Sequence, residues 1–233
     1  MGWKSHRPNH GNYRPETPAI IIDEEIFFFR LSLPLPYYFC ARMTKSKNIA
    51  ILASGGGSNA ENIISHFANY KYAKVKMVLS NKENAGVLEK AAKFEVPTKT
   101  FNKEQFQAGK VLEWLKEAEI DVVVLAGFLW KMPDEIIAAF EGKMINIHPS
   151  LLPAYGGKGM YGMHVHQAVK EAGEKHSGIT IHLVNSNYDE GAILFQARTT
   201  LEQDDSAEDI AAKVLQLEHK YFPRIIDALC KQQ

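Results

Sequence analysis

The chain lacks a charge of either sign in excess: its 27 Lys and Arg balance 27 Asp and Glu over 233 residues. No basic field draws it to nucleic acid or to an anionic membrane, so any polyanion it binds must be recognised locally. Cysteine is nearly missing too. Cys40 and Cys230 stand at opposite ends without metal-ligand spacing, which speaks against a disulfide framework or a cysteine zinc cluster and for a reducing cytoplasm. Long uncharged apolar runs are also wanting. The most apolar stretch, AIIIDEEIFFFRLSLPLPYYFC, is broken by Asp23, Glu24, Glu25, Arg30, Pro34 and Pro36, and reads as neither a membrane-spanning helix nor a signal peptide.

What is present is ordinary for a globular domain, with 45% apolar and 23% charged residues. Residues 1–18 are polar, proline-bearing and without periodicity, which suggests a disordered tail. At Met43 the chain changes into a short basic lead and a strand, MTKSKNIAILASGGGSN. Residues 1–42 are therefore expected to be an irregular extension outside the fold, and residues 43–233 one domain.

From Asn48 the pattern alternates. NIAILAS reads as a strand, NAENIISHFANY as a helix, KVKMVLS as a strand and AGVLEKAAKF as a helix. After a short PTKTF come a helix-like KEQFQAGKVLEWLKEA, a buried strand DVVVLAGF, a short helix opened by Pro133 and the strand KMINIH. Such alternation predicts an α/β domain of Rossmann-like type, a mostly parallel sheet flanked by helices. SGITIHLVN and AILFQARTT then read as an antiparallel strand pair near the C-terminus, and a long amphipathic helix N-capped by Ser206 follows.

Ligands of open parallel sheets sit at the carboxyl ends of the strands, where three features gather. The first is Gly55-Gly56-Gly57-Ser58-Asn59, at a helix N-terminus. Its amides and side-chain donors suit a phosphate, although a tight turn capped by Asn59 would read the same way. No Gly-Lys-Ser/Thr follows, and Glu61 and Asn62 occupy the region of the third glycine of a dinucleotide fingerprint. The second is Gly127-Phe128. The third is Asn146-Ile147-His148-Pro149: residues two apart on a strand share a face, so an Asn amide and a histidine there can act together on a polarised carbonyl, or form a satisfied buried pair. Asp189, between the last two strands, is a solvated turn residue or a carboxylate that raises the pKa of His148 and keeps it charged. His164, His166, His176 and His182 lack the spacing of a metal site, and no metal is expected; His164 and His166 read as opening a helix.

The segments NIAILASGGGSN, VVVLAGF, INIHPSLLPAY, HVHQAV, GITIHLVN, YDEGAILFQ and LEHKYFP together resemble the phosphoribosylglycinamide formyltransferases, in the family's order from about Asn48 to Leu229. The resemblance implies transfer of the formyl group of 10-formyltetrahydrofolate to the amine of glycinamide ribonucleotide, in purine biosynthesis, by a monomer or homodimer that needs no metal, nucleic acid or membrane. It implies Asn146, His148 and Asp189 as the catalytic trio. It likewise places the ribonucleotide phosphate on Gly56, Gly57, Ser58 and Asn59, Glu218 on the ribonucleotide, and the folate near Leu125, Phe128, Leu129, Trp130, Lys131, Asn185 and Tyr188. Two segments depart from the family. Leu129-Trp130-Lys131 stands where many members carry an Arg after the AGF segment, and the loop Tyr155 to Met163 is several residues longer than the common form. A formyltetrahydrofolate hydrolase or a sugar-nucleotide formyltransferase is the alternative reading.

Overall fold

The computed structural model describes Ile21–Asp23 and residues 45–232. In chain order the elements are β1 (Ile21–Asp23), β2 (Lys47–Leu52), α1 (Ser58–Phe67), β3 (Ala73–Ser80), α2 (Gly86–Lys93), β4 (Thr98–Thr100), α3 (Lys103–Gln107) and α4 (Lys110–Glu117). They continue with β5 (Val122–Leu125), α5 (Asp134–Ala139), β6 (Met144–His148), α6 (Met163–Glu171), β7 (His176–Leu183), β8 (Ile193–Thr200) and α7 (Ala207–Gln232). The strands form one sheet in the order β1-β8-β7-β6-β5-β2-β3-β4. Strands β2 to β6 pair in parallel, and β7 runs antiparallel to both β6 and β8. This is the expected α/β architecture with its antiparallel pair.

The parallel strands are apolar on both faces because both are covered. Ile49 and Ile51 of β2 face the layer built with α1, α2 and α7, while Ala50 and Leu52 face the layer of α3 to α5. The chain leaves β2 towards β3 and β4, then returns to β5 and β6 on its other side. A crevice opens at that reversal, between the loops after β2 and β5.

KEQFQAGKVLEWLKEA, expected as one helical stretch, is two helices. Gly109 takes a left-handed φ of 80° between α3 and α4 and breaks the backbone ladder. Asn102 opens α3 with a capping box that includes Gln105. Ser206 caps α7 as expected: its hydroxyl accepts from the Asp209 amide at 3.1 Å, and Asp209 Oδ2 accepts from the Ser206 amide at 2.9 Å. The expectation that residues 1–42 stand outside the domain falls largely outside the described residues. Of that segment only Ile21–Asp23 is described, as β1, which pairs in parallel with Gln196–Arg198 of β8.

Pro223 lies inside α7. A proline has no N–H, so the carbonyl one turn earlier, that of His219, loses its helical partner. Asn62 of α1 supplies the replacement, donating from Nδ2 to His219 O at 2.8 Å. One turn earlier on α1, Asn59 Nδ2 donates to Glu218 Oε2 at 2.6 Å. The proline thus creates a socket that docks α1 on α7 and sets the start of α1 against Glu218. Asn62→Ala is expected to cost about 1 kcal/mol of unfolding free energy in urea, and Pro223→Ala, which restores an amide donor to His219 O, should shrink that cost. Equal costs in both backgrounds would show that the bond does not compensate the proline.

Candidate active site

The crevice is stitched at its base by Ser54, whose amide donates to Gly127 O at 3.0 Å and whose hydroxyl accepts from the Leu129 amide at 3.1 Å. Gly57, next along, has φ 73°, and a Cβ there would lie 2.6 Å from the Val87 backbone, so only glycine fits. Around Gly55 and Gly56 an added Cβ would meet nothing within 4 Å. No protein neighbour demands those two glycines; the space belongs to whatever approaches their amides. Asn59 departs from the simple phosphate picture. Its Nδ2 donates one hydrogen to Glu218 and its Oδ1 has no hydrogen-bond partner, so its side chain faces the acid, with one Nδ2 hydrogen and the backbone amide left as donors for an anion.

Asn146 and His148 alternate along β6 with Ile145 and Ile147, which belong to the α1/α7 layer. Their side chains therefore share the opposite face. Asp189 meets both from the β7–β8 connection, with a left-handed φ of 56°. Its Oδ1 lies 3.5 Å from Asn146 Nδ2 and 3.6 Å from His182 Nε2; its Oδ2 lies 3.5 Å from His148 Nδ1 and accepts the Gly157 amide at 2.9 Å. His182 was legible only as a strand residue. The antiparallel register sets it directly opposite Asn146, and their Nδ2 to Nε2 separation is 3.1 Å. Because Leu183 O can only accept, the His182 Nδ1 facing it at 2.8 Å carries the hydrogen, leaving Nε2 to accept from Asn146. His182 thereby fixes which way the Asn146 amide points. Only the β6–β7 register, absent from the sequence pattern, could have revealed it.

His148 Nε2 donates to Tyr155 O at 2.8 Å, at the start of the lengthened loop. That loop is anchored below by a buried network in which Thr180 Oγ1 accepts from the Leu152 amide at 2.9 Å and from Gln196 Nε2 at 2.9 Å, and donates to Ser150 O at 2.7 Å. His164 and His166 open α6, as expected. His164 stacks on Tyr161 with ring centroids 5.1 Å apart, whereas His166 is buried with Nδ1 unpartnered.

Burial sets the charge states. It holds the His148 pKa below the ordinary histidine value, against the pull of Asp189 and Tyr155 O. Asp189 does pull the His148 pKa upward, as expected of a carboxylate 3.5 Å away, but desolvation is the larger effect and the net direction is down. His166 is lowered by burial and by His148. Burial raises Asp189, but His182, His148 and the Gly157 amide outweigh it and leave its pKa below the usual carboxylate value. Glu218 is raised by burial despite its bond from Asn59.

Two cavities adjoin beside this cluster. One, of about 600 Å³, runs from the glycine loop past Asn146, His148 and Asp189 to α7, where it reaches Glu218. The other, of about 640 Å³, is walled by Phe106, Leu129, Trp130 and Pro133, with Lys103 and Lys131 among its lining. Leu129 and Tyr188 line both. Phe128 lines the first cavity and packs into an aromatic cluster with Phe106 and Trp130, at centroid distances of 5.7 and 6.4 Å. Leu125 is buried in the core and Asn185 is exposed, accepting from the Asn187 amide; neither lines a cavity. Among the described residues no three His, Cys, Asp or Glu side chains gather as a metal site, and no helix is long and apolar enough to cross a membrane.

Residues 47–226 match the formyl transferase family model, and the chain belongs to that family. More narrowly, it is similar to proteins named phosphoribosylglycinamide formyltransferase. The Vigna unguiculata enzyme of that name, described as chloroplastic, is 40% identical over 197 residues, 81% of this chain and 62% of its own length; the chain thus spans somewhat less than two thirds of that relative. The Bacillus subtilis (strain 168) enzyme is 36% identical over 190 residues, covering 78% of this chain and 94% of its own. The crystal structure of the Anaplasma phagocytophilum enzyme superposes with a TM-score of 0.74 at 30% identity, over 81% of this chain and 89% of that one.

The depressed histidines have a measurable consequence. A histidine whose folded pKa lies below its unfolded value of about 6.5 is protonated more readily when unfolded, so its contribution to stability is present above pH 6.5 and lost as the pH falls towards the folded value. His148, His166 and His219 are all lowered, whereas the raised Glu218 acts with the opposite sign. His166→Asn is expected to lose less unfolding free energy than the wild type between pH 7 and pH 5, followed by urea titration at each pH; an unchanged slope would mean that His166 is not held neutral.

Proposed function

We propose that this chain transfers the formyl group of 10-formyltetrahydrofolate to the amine of glycinamide ribonucleotide, in purine biosynthesis, through a catalytic domain spanning residues 43–233. The observation that carries this reading is the convergence of Asn146, His148 and Asp189 on the wall of the first cavity, which adjoins the second at Leu129 and Tyr188. The first cavity offers free amides at Gly56 and Gly57 for a phosphate, and Glu218 at its far wall for the polar body of the ribonucleotide. The second suits an aromatic ring system, with Phe106 and Trp130 on its wall and Lys131 suited to the donor's glutamate carboxylates. Tyr188 and Leu129 lie where the two ligands would touch. The donor supplies the formyl carbon; the chain's part is to align, to stabilise charge and to move a proton.

Alignment comes first, because holding amine and formyl carbon in register replaces a chance encounter by an intramolecular attack. Carbon–nitrogen bond formation places negative charge on the formyl oxygen. Asn146 Nδ2, oriented by His182, is one donor to that oxygen. His148 Nε2–H is the second, once it exchanges the Tyr155 carbonyl for the substrate. As negative charge grows beside it, the ring gains affinity for a proton at Nδ1, and the Asp189 carboxylate 3.5 Å away balances it. The proton lost by the amine thus has a path through water to the Asp189–His148 pair, and the donor nitrogen receives one as its bond to the formyl carbon breaks.

The enzyme is read as cytoplasmic and as a monomer or homodimer. Tetrahydrofolate release should require the ribonucleotide; equal release without it would make the protein a hydrolase, and release with another amine alone would move the acceptor. Asp189→Asn should lower kcat by roughly 10²- to 10³-fold, as expected for loss of a proton-accepting and charge-balancing group. His182→Ala should lower kcat less, roughly tenfold, because it misorients Asn146 rather than removing it.

A further inference from the structure

The lengthened loop departs from the common form of the family, yet it is tied into the site at two points. Tyr155 O accepts from His148, and the Gly157 amide donates to Asp189. Between and beyond those ties the chain makes a turn closed by the Met160 amide on Gly157 O at 3.1 Å. Gly159, third in that turn, holds φ 93°, the conformation that a type II turn asks of this position. Lys158 stands second, at the apex.

Lys158 is exposed and makes no ion pair or hydrogen bond with any described residue. It is also the one Lys or Arg among the described residues lining the first cavity, whose carboxylates are Asp189 and Glu218. A pocket with two acids and a single unpaired ammonium is poorly suited to a dianion unless that ammonium turns to it. The glycine loop, α7 and the lengthened loop share this cavity, whereas no residue of the lengthened loop lines the second one, which has Lys103 and Lys131 of its own. The loop's cation therefore belongs with the phosphate of the acceptor and not with the carboxylates of the donor.

We propose that Lys158 pairs with the phosphate of the ribonucleotide and sets the preference for a phosphorylated acceptor. The inference rests on the formyl-transfer reading above. In it, the amides of Gly56 and Gly57 hold the phosphate from the sheet side, and Lys158 closes on it from the loop side. The Gly157 tie to Asp189 makes the turn a lever: a phosphate that draws in Lys158 also presses the residue next to it against the catalytic carboxylate, so only a phosphorylated acceptor secures both.

The test uses the full chain as wild type, Lys158→Met and Lys158→Arg, with glycinamide ribonucleotide and with its dephosphorylated ribonucleoside as acceptors. Lys158→Met should raise KM for the ribonucleotide roughly tenfold, the scale of one charge-assisted hydrogen bond at a partly exposed site, and leave KM for the formyl donor within about twofold. Lys158→Arg, which keeps the charge, should recover most of the loss. With the ribonucleoside, the ratio of wild type to Lys158→Met should fall to about one. Inorganic phosphate, competing against the ribonucleotide, should inhibit Lys158→Met roughly tenfold more weakly, which gives the same answer without an altered acceptor. An unchanged phosphate inhibition constant, an equal penalty on both acceptors, or a penalty on the donor's KM would each overturn the proposal. Wild-type protein that fails to use the ribonucleotide at all would overturn the underlying reading instead.

Discussion

The carboxylate of Asp189 joins four segments of the chain: the end of β6, the end of β7, its own β7–β8 connection and the lengthened loop. The backbone accepts a left-handed φ at a non-glycine residue to put it there, a conformation that the surrounding contacts must over-determine if it is to persist. Its two oxygens divide the work. Oδ1 faces the Asn146–His182 pair, and Oδ2 faces His148 and the Gly157 amide. Without this one charge, His148 and His182 would lose the carboxylate beside them, and the loop would lose its tie through the Gly157 amide.

The electrostatics of the cluster follow from depth more than from pairing. His148 is 4% exposed, and burial outweighs the carboxylate beside it, so the resting ring is neutral with its hydrogen on Nε2. That is the form that can donate to an oxygen at one nitrogen while the other is free to gain a proton. Glu218, buried on the far side of the same cavity, is pushed the other way by the same cause. One acid, Glu218, and two bases, His148 and His166, each destabilised in its charged form by desolvation, thus line a cavity in which Asp189 has its ionised form favoured.

Much of this was legible in the chain itself, because the strongest signals are local. Unbroken runs such as DVVVLAGF fix buried parallel strands, and the two-residue spacing of Asn146 and His148 fixes their common face. The misreadings were of two physical kinds. In KEQFQAGKVLEWLKEA, helical periodicity on both sides masked Gly109, whose left-handed backbone breaks the ladder. The charge of His148 and the partner of Asn146 depend on burial and on cross-strand register, and neither has a trace in sequence spacing. The register alone brings His182 opposite Asn146. The engagement of Asn59 with Glu218, 159 positions away, was hidden for the same reason.

The socket that Pro223 opens for Asn62 has a consequence for how the protein comes into being. Its two halves are 157 positions apart, and so are those of the neighbouring Asn59–Glu218 bond to within two residues. During synthesis the central strand β2 and the whole glycine loop leave the ribosome long before α7 does. The sheet from β2 to β6 can therefore assemble into something with native secondary structure and a hydrophobic face awaiting cover, yet without the α7 wall of the first cavity. A chain whose last helix has not docked can keep the hydrogen-bonded sheet from β2 to β6 while the first cavity stands open where Val214, Leu215 and Glu218 would close it.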